Sequence, residues 1–288
     1  RKMTFIMNVL DCTLGTIGIP MNLILTIAII FAKGTHLKAY SLILFHSAVT
    51  VLTEVIVELL AMTRMMAEFP YLVYIFEGFC THIGTAVCQI SMQLELHLMF
   101  HSILLIAVSF WYRNVVLTGI YPSFVKTQSV ILAILLPTIL STYILTWSND
   151  SVNILPHFYP DINLSDVIHV GANFNNHHNK IVGVWTINAP MVAYGFIFYF
   201  RRQVHRTRKM HSSLLRVSHC SFPRQKKAQA LSYHALLPSL SILGIFAFLA
   251  QNLGVQHPAI ERVAYMSCSI PPAINPVLTL YFVGPYRR

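Results

Sequence analysis

Glu54 and Glu58 stand four residues apart in an apolar run, so on a helix they share one face. Further on, Gln89, Gln93, His97 and His101 are each four from the next and form one polar stripe, with Glu95 pointing away from it. Asp11, Asn188, Gln251 and Asn252 occupy other apolar runs, and His46 and His234 lie toward the opposite ends of theirs. Ionisable groups in apolar surroundings are costly and face a protein interior or a wet cavity. One chemistry for this set is recognition of a small molecule by Glu54, Glu58, Gln89, Gln93, His97, Asn188 and Gln251. The plainer alternative is hydrogen bonding between helices, worth about 1 kcal/mol per pair. His97 and His101 also have the spacing of two metal ligands on one helix face, with His46 or Glu54 as a third, which would suit a membrane hydrolase. Glu54, Glu58 and His97 would make a proton relay in a transporter. No HExxH pattern supports the hydrolase, and the two halves of the chain show no repeat of the kind many transporters carry. The five cysteines, Cys12, Cys80, Cys88, Cys220 and Cys268, show no CxxC spacing. No catalytic residue, metal or cofactor is assigned. The run Asn175-Asn176-His177-His178-Asn179 reads as solvated loop.

The elements that hold these residues follow from composition. Of 288 residues, 55% are hydrophobic and 10% charged, against about 25% charged in soluble domains. The mean hydropathy is +0.61. A membrane-spanning helix needs about 20 mostly apolar residues. Seven such runs are found, at about 5–31, 40–62, 84–112, 127–147, 181–200, 228–253 and 260–283, making one all-α seven-transmembrane domain over 1–288. Pro20, Pro137, Pro190, Pro238, Pro271, Pro272 and Pro276 fall inside runs, as membrane helices tolerate where neighbours satisfy the freed carbonyls. The chain starts at Arg1 rather than at a methionine, and its first apolar run is long enough to span rather than to be a cleaved leader.

The net charge of +10 flanks apolar runs, which the positive-inside bias explains without nucleic acid. With the N-terminus outside, the inner segments hold fifteen Lys and Arg, nine of them between Arg201 and Lys227, and the outer segments five. No acidic residue falls on the inner side. Asn149-Asp-Ser151 and Asn163-Leu-Ser165 read as glycosylation acceptors, both in the loop assigned outside, with Asn163 better separated from the membrane. The basic loop after the fifth run fits anionic headgroups or an acidic cytosolic partner. The C-terminus is then cytoplasmic.

Three stretches carry a resemblance: GIPMNL at 18–23, LHLMFHSILLIAVSFWYRNVVL at 96–117 and INPVLTLYFVGPYRR at 274–288. They resemble the nematode serpentine seven-transmembrane chemoreceptors, most closely serpentine receptor class delta, over nearly the whole chain. The resemblance implies a chemosensory receptor that binds a small molecule from outside and signals through a heterotrimeric G protein, in the plasma membrane of sensory neurons. It implies that Arg113 matches the arginine at the inner end of the third helix in G-protein-coupled receptors, with Tyr112, Asn275, Pro276 and Tyr281 also in the activation machinery. Departures are visible. Trp111-Tyr112 precedes Arg113 and Asn114 follows, so the usual neighbouring acid is absent. Thr279 stands where the tyrosine after Asn275-Pro276 is usual, and Val51 where relatives tend to carry an aspartate. Asn22 resembles the first-helix asparagine of rhodopsin-like receptors. In many of those receptors Cys80 would pair with a cysteine of the second outer loop. Residues 148–180 contain none, so Cys80 is either free or paired elsewhere, with Cys12 and Cys268 looking too deep.

Overall fold

The computed structural model describes residues 2–31, 38–144, 168–214, 240, 242–255 and 257–282. Long apolar runs become helices because lipid offers no partner to an unbonded backbone N–H or C=O. The described residues form α1 (Lys2–Phe31), α2 (Lys38–Ala61), α3 (Thr85–Leu117), α4 (Phe124–Ile144), α5 (His177–Leu214), α6 (Ile242–Asn252) and α7 (Pro258–Phe282). Four of these, α1, α2, α3 and α5, contain described stretches long and apolar enough to cross a membrane. The apolar parts described in α4 and α6 are shorter. Residues 228–239, the first half of the sixth run, lie outside the described residues.

Two helices outrun their apolar cores. α3 continues four residues past Arg113 and ends at Thr118-Gly119, where Gly119 takes φ 84°, a conformation that glycine adopts without a Cβ clash. α5 runs on to Leu214, so the basic stretch after Phe200 begins as helix rather than loop. No Gly or Pro interrupts residues 200–214, and nothing there breaks the i→i−4 ladder.

A sheet stands where the sequence reads only loops. β1 (Thr63–Glu68), β2 (Tyr71–Phe76) and β3 (His169–Asn173) pair antiparallel in the order β1-β2-β3. The segment YLVYIF has the aromatic and β-branched content of a strand, and Phe69-Pro70 turns the chain before it. The register puts Met65 opposite Tyr74, Ala67 opposite Leu72, and Val170 and Ala172 opposite Tyr74 and Leu72. These residues therefore share one face. That face packs with Met92 of α3, Val182 of α5, Ala247 of α6 and Tyr265 of α7 in one core. The sheet thus sits on one end of the helix bundle, called here the sheet end. Gly78, just after β2, donates its N–H to Ala61 O at the end of α2, and a Cβ there would clash with the backbone carbonyl of Leu60. A 3-10 turn (Phe79–His82) leads into α3, and a Cys80–Cys88 disulfide fastens the turn to the first turn of the helix. The partner of Cys80 is therefore a residue that hydropathy places inside the third span, and Cys12 is free.

Far from the sheet, α1 and α7 are joined by a device that proline creates. Pro276 has no N–H, so the carbonyl of Pro272 loses its helical donor. Asn22 Nδ2 donates to Pro272 O at 3.1 Å and to Gly18 O of its own helix at 2.8 Å. The buried asparagine replaces the missing backbone bond.

Candidate functional site

The sheet end is held by two arginines and two glutamates. Arg64 of β1 donates through Nε to Glu261 Oε2 of α7 at 2.6 Å. Arg262, next in α7, pairs with Glu77 after β2, which also accepts from Asn8 Nδ2 of α1 at 2.9 Å. Arg64 and Glu77 are 3.9 Å apart. The four charges balance, as ions at a partly buried site must. Gln251 of α6 accepts from the backbone N–H of Ala67 in β1 at 2.8 Å, so this glutamine ties down the sheet. Tyr74 lies edge-on to Tyr265 with ring centroids 6.0 Å apart, and burial pushes its hydroxyl well above the ordinary phenol range.

Carboxyl groups from three helices come together within the bundle. Asp11 of α1, Glu54 and Glu58 of α2, and Glu95 of α3 are 8%, 2%, 4% and 2% exposed. Asp11 lies beside Glu58, and Glu95 lies within electrostatic range of the other three. Glu54 Oε2, Glu58 Oε1 and both oxygens of Glu95 have no hydrogen-bond partner among the described residues. Glu95, which helix spacing sets apart from the polar stripe, is thus gathered with Glu54 and Glu58. The reason is the place of α3 at the centre of the bundle: it buries Gln93, Glu95, His97 and Phe110, which lie on different sides of it.

The other expected pocket residues are dispersed. Gln93 is buried with Nε2 lacking a partner among the described residues, and Gln89 is half-buried. His97 lines a cleft between α3 and α5 with Phe100, Trp185, Thr186 and Pro190. Asn188 is exposed on α5, and its amide donates to Val184 O one turn back. His101 Nδ1 lies 3.5 Å from Thr138 Oγ1 of α4. Among the described residues no three His, Cys, Asp or Glu side chains converge as metal ligands.

The end of α3 opposite the sheet carries Arg113. Its Nη2 donates to the hydroxyl of Tyr40 in the first turn of α2, and its Cζ lies 5.1 Å from the centre of that ring. Tyr112 stacks on Tyr40 with ring centroids 5.7 Å apart. Arg113 also borders a small cavity of about 40 Å³, shared with Tyr40, Ser47, Ser109, Asn275 and Thr279. Arg113, Tyr112 and Asn275 are therefore neighbours, and Pro276 sets the Asn22 contact. The side chain of Tyr281 is not among those described, and Asn149 and Asn163 lie outside the described residues.

Residues 7–288 match the model of the family described as serpentine type 7TM GPCR chemoreceptor Srd. The chain belongs to this family. Relatives of this Srd receptor include serpentine receptor class delta-18 of Caenorhabditis elegans, 28% identical over 94% of this chain and 83% of that one. Serpentine receptor class delta-1 of the same organism is 25% identical over 100% of this chain and 81% of its own. Among solved structures, squid rhodopsin superposes with a TM-score of 0.70 at 14% identity, over 99% of this chain and 79% of that one, a likeness of fold. The Srd chain is accordingly a multi-pass membrane protein and a chemosensory receptor of the G-protein-coupled type. Its family is one of chemoreceptors and not of enzymes, which favours the receptor over the hydrolase and transporter readings.

Proposed function

We propose that the sheet end of this receptor faces outside and the Arg113 end faces the cytosol, at the plasma membrane of sensory neurons. The fifteen basic residues of the segments at the Arg113 end, without an acidic one, support that orientation. Asn163, and with it Asn149, then carries glycan on the outside. A small, largely apolar molecule with one or two hydrogen-bond donors binds in the half of the bundle below the sheet, against Glu54, Glu58, Glu95 and Gln93. Gln89 and His97 border that region, whereas the exposure of Asn188 and the sheet contact of Gln251 count against their touching ligand. The bound molecule favours one packing of the helices, and the Arg113 end opens to a heterotrimeric G protein. Tyr112, Arg113, Asn275, Pro276 and Tyr281 form the coupling end. Neither a cofactor nor nucleic acid has a part in this.

The observation that carries the reading is the set of buried carboxyl oxygens without partners, which offers acceptors to a ligand that can donate. Glu95→Gln keeps the shape and replaces one carboxyl oxygen by an amide nitrogen, which donates where the oxygen accepts. It is expected to raise the concentration of agonist needed for half-maximal response about tenfold, roughly the loss of one hydrogen bond. Glu68→Gln, on the exposed tip of the hairpin, leaves the response unchanged. An agonist found by screening the wild type supplies the assay. An unaltered response in Glu95→Gln contradicts the placement.

A further inference from the structure

Arg113 has no carboxylate within its own neighbourhood of the sequence. Trp111, Tyr112 and Asn114 flank it, and the acidic residues described, Asp11, Glu54, Glu58, Glu68, Glu77, Glu95 and Glu261, belong to the half of the molecule nearer the sheet. A guanidinium in a partly dry site nonetheless needs partners for its donors and its charge. One side chain supplies both. The Tyr40 hydroxyl accepts from Arg113 Nη2, and the face of the Tyr40 ring lies beneath the guanidinium carbon at 5.1 Å. Tyr40 is itself held. It is buried, it stacks on Tyr112, and it packs in one core with Ile43 of its own helix, Leu105 and Val108 of α3 and Ile131 of α4. The contact bridges the first turn of α2 and the end of α3, 73 residues apart in the chain.

We propose that Tyr40 is the restraint that holds Arg113 back from its cytosolic partner, a neutral aromatic clamp in place of a carboxylate lock. Tyr40 is a positioning residue that acts through Arg113, and its role rests on the reading of Arg113 as a coupling residue. Arg113 and Tyr40 both line the small cavity that reaches Asn275 and Thr279 of α7. A partner group entering that space competes with Tyr40 for the same guanidinium donors. Every contact Arg113 makes with Tyr40 therefore weights the equilibrium against coupling, by the difference in contact between the two states. A neutral partner suits such a restraint. Leaving a phenol strands no buried carboxylate, so the clamp opens without uncovering a second charge.

The test is nucleotide exchange by a panel of purified heterotrimeric G proteins, added without ligand to membranes holding equal amounts of surface receptor. Tyr40→Phe keeps the ring and its stacking and removes the hydroxyl. Tyr40→Leu removes the ring face as well and leaves an apolar side chain in the core. Basal exchange is expected to rise in Tyr40→Phe and to rise further, about fivefold or more, in Tyr40→Leu, the size of a modest coupling free energy. Arg113→Ala and the double variant Tyr40→Leu/Arg113→Ala are expected to show none of the rise. Basal exchange in Tyr40→Leu at or below wild type, with Arg113→Ala still lowering agonist-driven exchange, overturns the clamp and leaves the role of Arg113 standing. Unchanged agonist-driven exchange in Arg113→Ala overturns both. A purely structural role for Tyr40 would lower receptor amount and leave the exchange per receptor where it was.

Discussion

Arg113→Ala is expected to cut agonist-driven nucleotide exchange at least about tenfold, the effect of roughly 1.4 kcal/mol in the coupling equilibrium. Agonist affinity should change little, because the substitution lies at the end of α3 away from the buried carboxyls. The side chain has three ties: the hydroxyl of Tyr40, the face of the same ring, and the cavity bordered by Asn275 and Thr279. Alanine removes them all. Arg113→Lys separates charge from shape. Lysine keeps the positive charge but loses the flat, forked donor set that stacks on an aromatic face, so an intermediate loss is expected. Exchange per receptor and agonist binding on the same membranes check both. Full coupling in Arg113→Ala would remove the residue from the mechanism.

Glu77→Ala is expected to be the most damaging change at the sheet end. It strips the partner from Arg262, which is 3% exposed, and removes the acceptor of Asn8. Breaking a buried pair by deleting one partner costs about 3–5 kcal/mol, because the other charge stays buried without compensation. Glu77 keeps 24% exposure, so water screens part of this and the lower end of that range applies. Surface expression should fall several-fold and thermal stability in detergent should drop. The double variant Glu77→Ala/Arg262→Met should recover part of the loss, since it leaves no arginine buried without its partner. A Glu77→Ala protein as stable as wild type would mean that the sheet is held by its apolar face alone. Lost agonist response in a well-expressed Glu77→Ala protein would instead tie the sheet to signalling.

Much of the helical frame is visible in hydropathy, because membrane helices must close their own hydrogen bonds and so need long apolar runs. Arg113, Asn275 and Pro276 are legible for another reason: they lie in stretches whose residue types resemble a known family. What escapes is what depends on neighbours far along the chain. The strand YLVYIF carries its own signal, but between two spans it reads as loop, and its pairing with residues 169–173 crosses nearly a hundred residues. Glu95 escapes because helix-face arithmetic assumes one buried face, and α3 is enclosed on several sides. Cys88 reads as part of an apolar run until the 3-10 turn sets Cys80 beside it. Gln251 looks like a pocket residue until the sheet delivers the Ala67 N–H to it. Tyr40 gives no sequence signal at all. A tyrosine at the start of a span is ordinary at a membrane interface, and its contact with Arg113 appears only when α2 and α3 pack together.

The orientation of the bundle decides whether its two ends can do what is proposed, and one measurement tests it directly: the mobility of wild-type and Asn163→Gln protein before and after glycosidase treatment, with a tag inserted within residues 201–227 of each. The account predicts a glycosidase-sensitive shift that Asn163→Gln removes or reduces, and a tag reached by antibody after permeabilisation. The sheet end is then outside and Arg113 faces the cytosol. A protein without any shift, whose tag is reached on intact cells, has the opposite topology, and Arg113 would then have no G protein to meet.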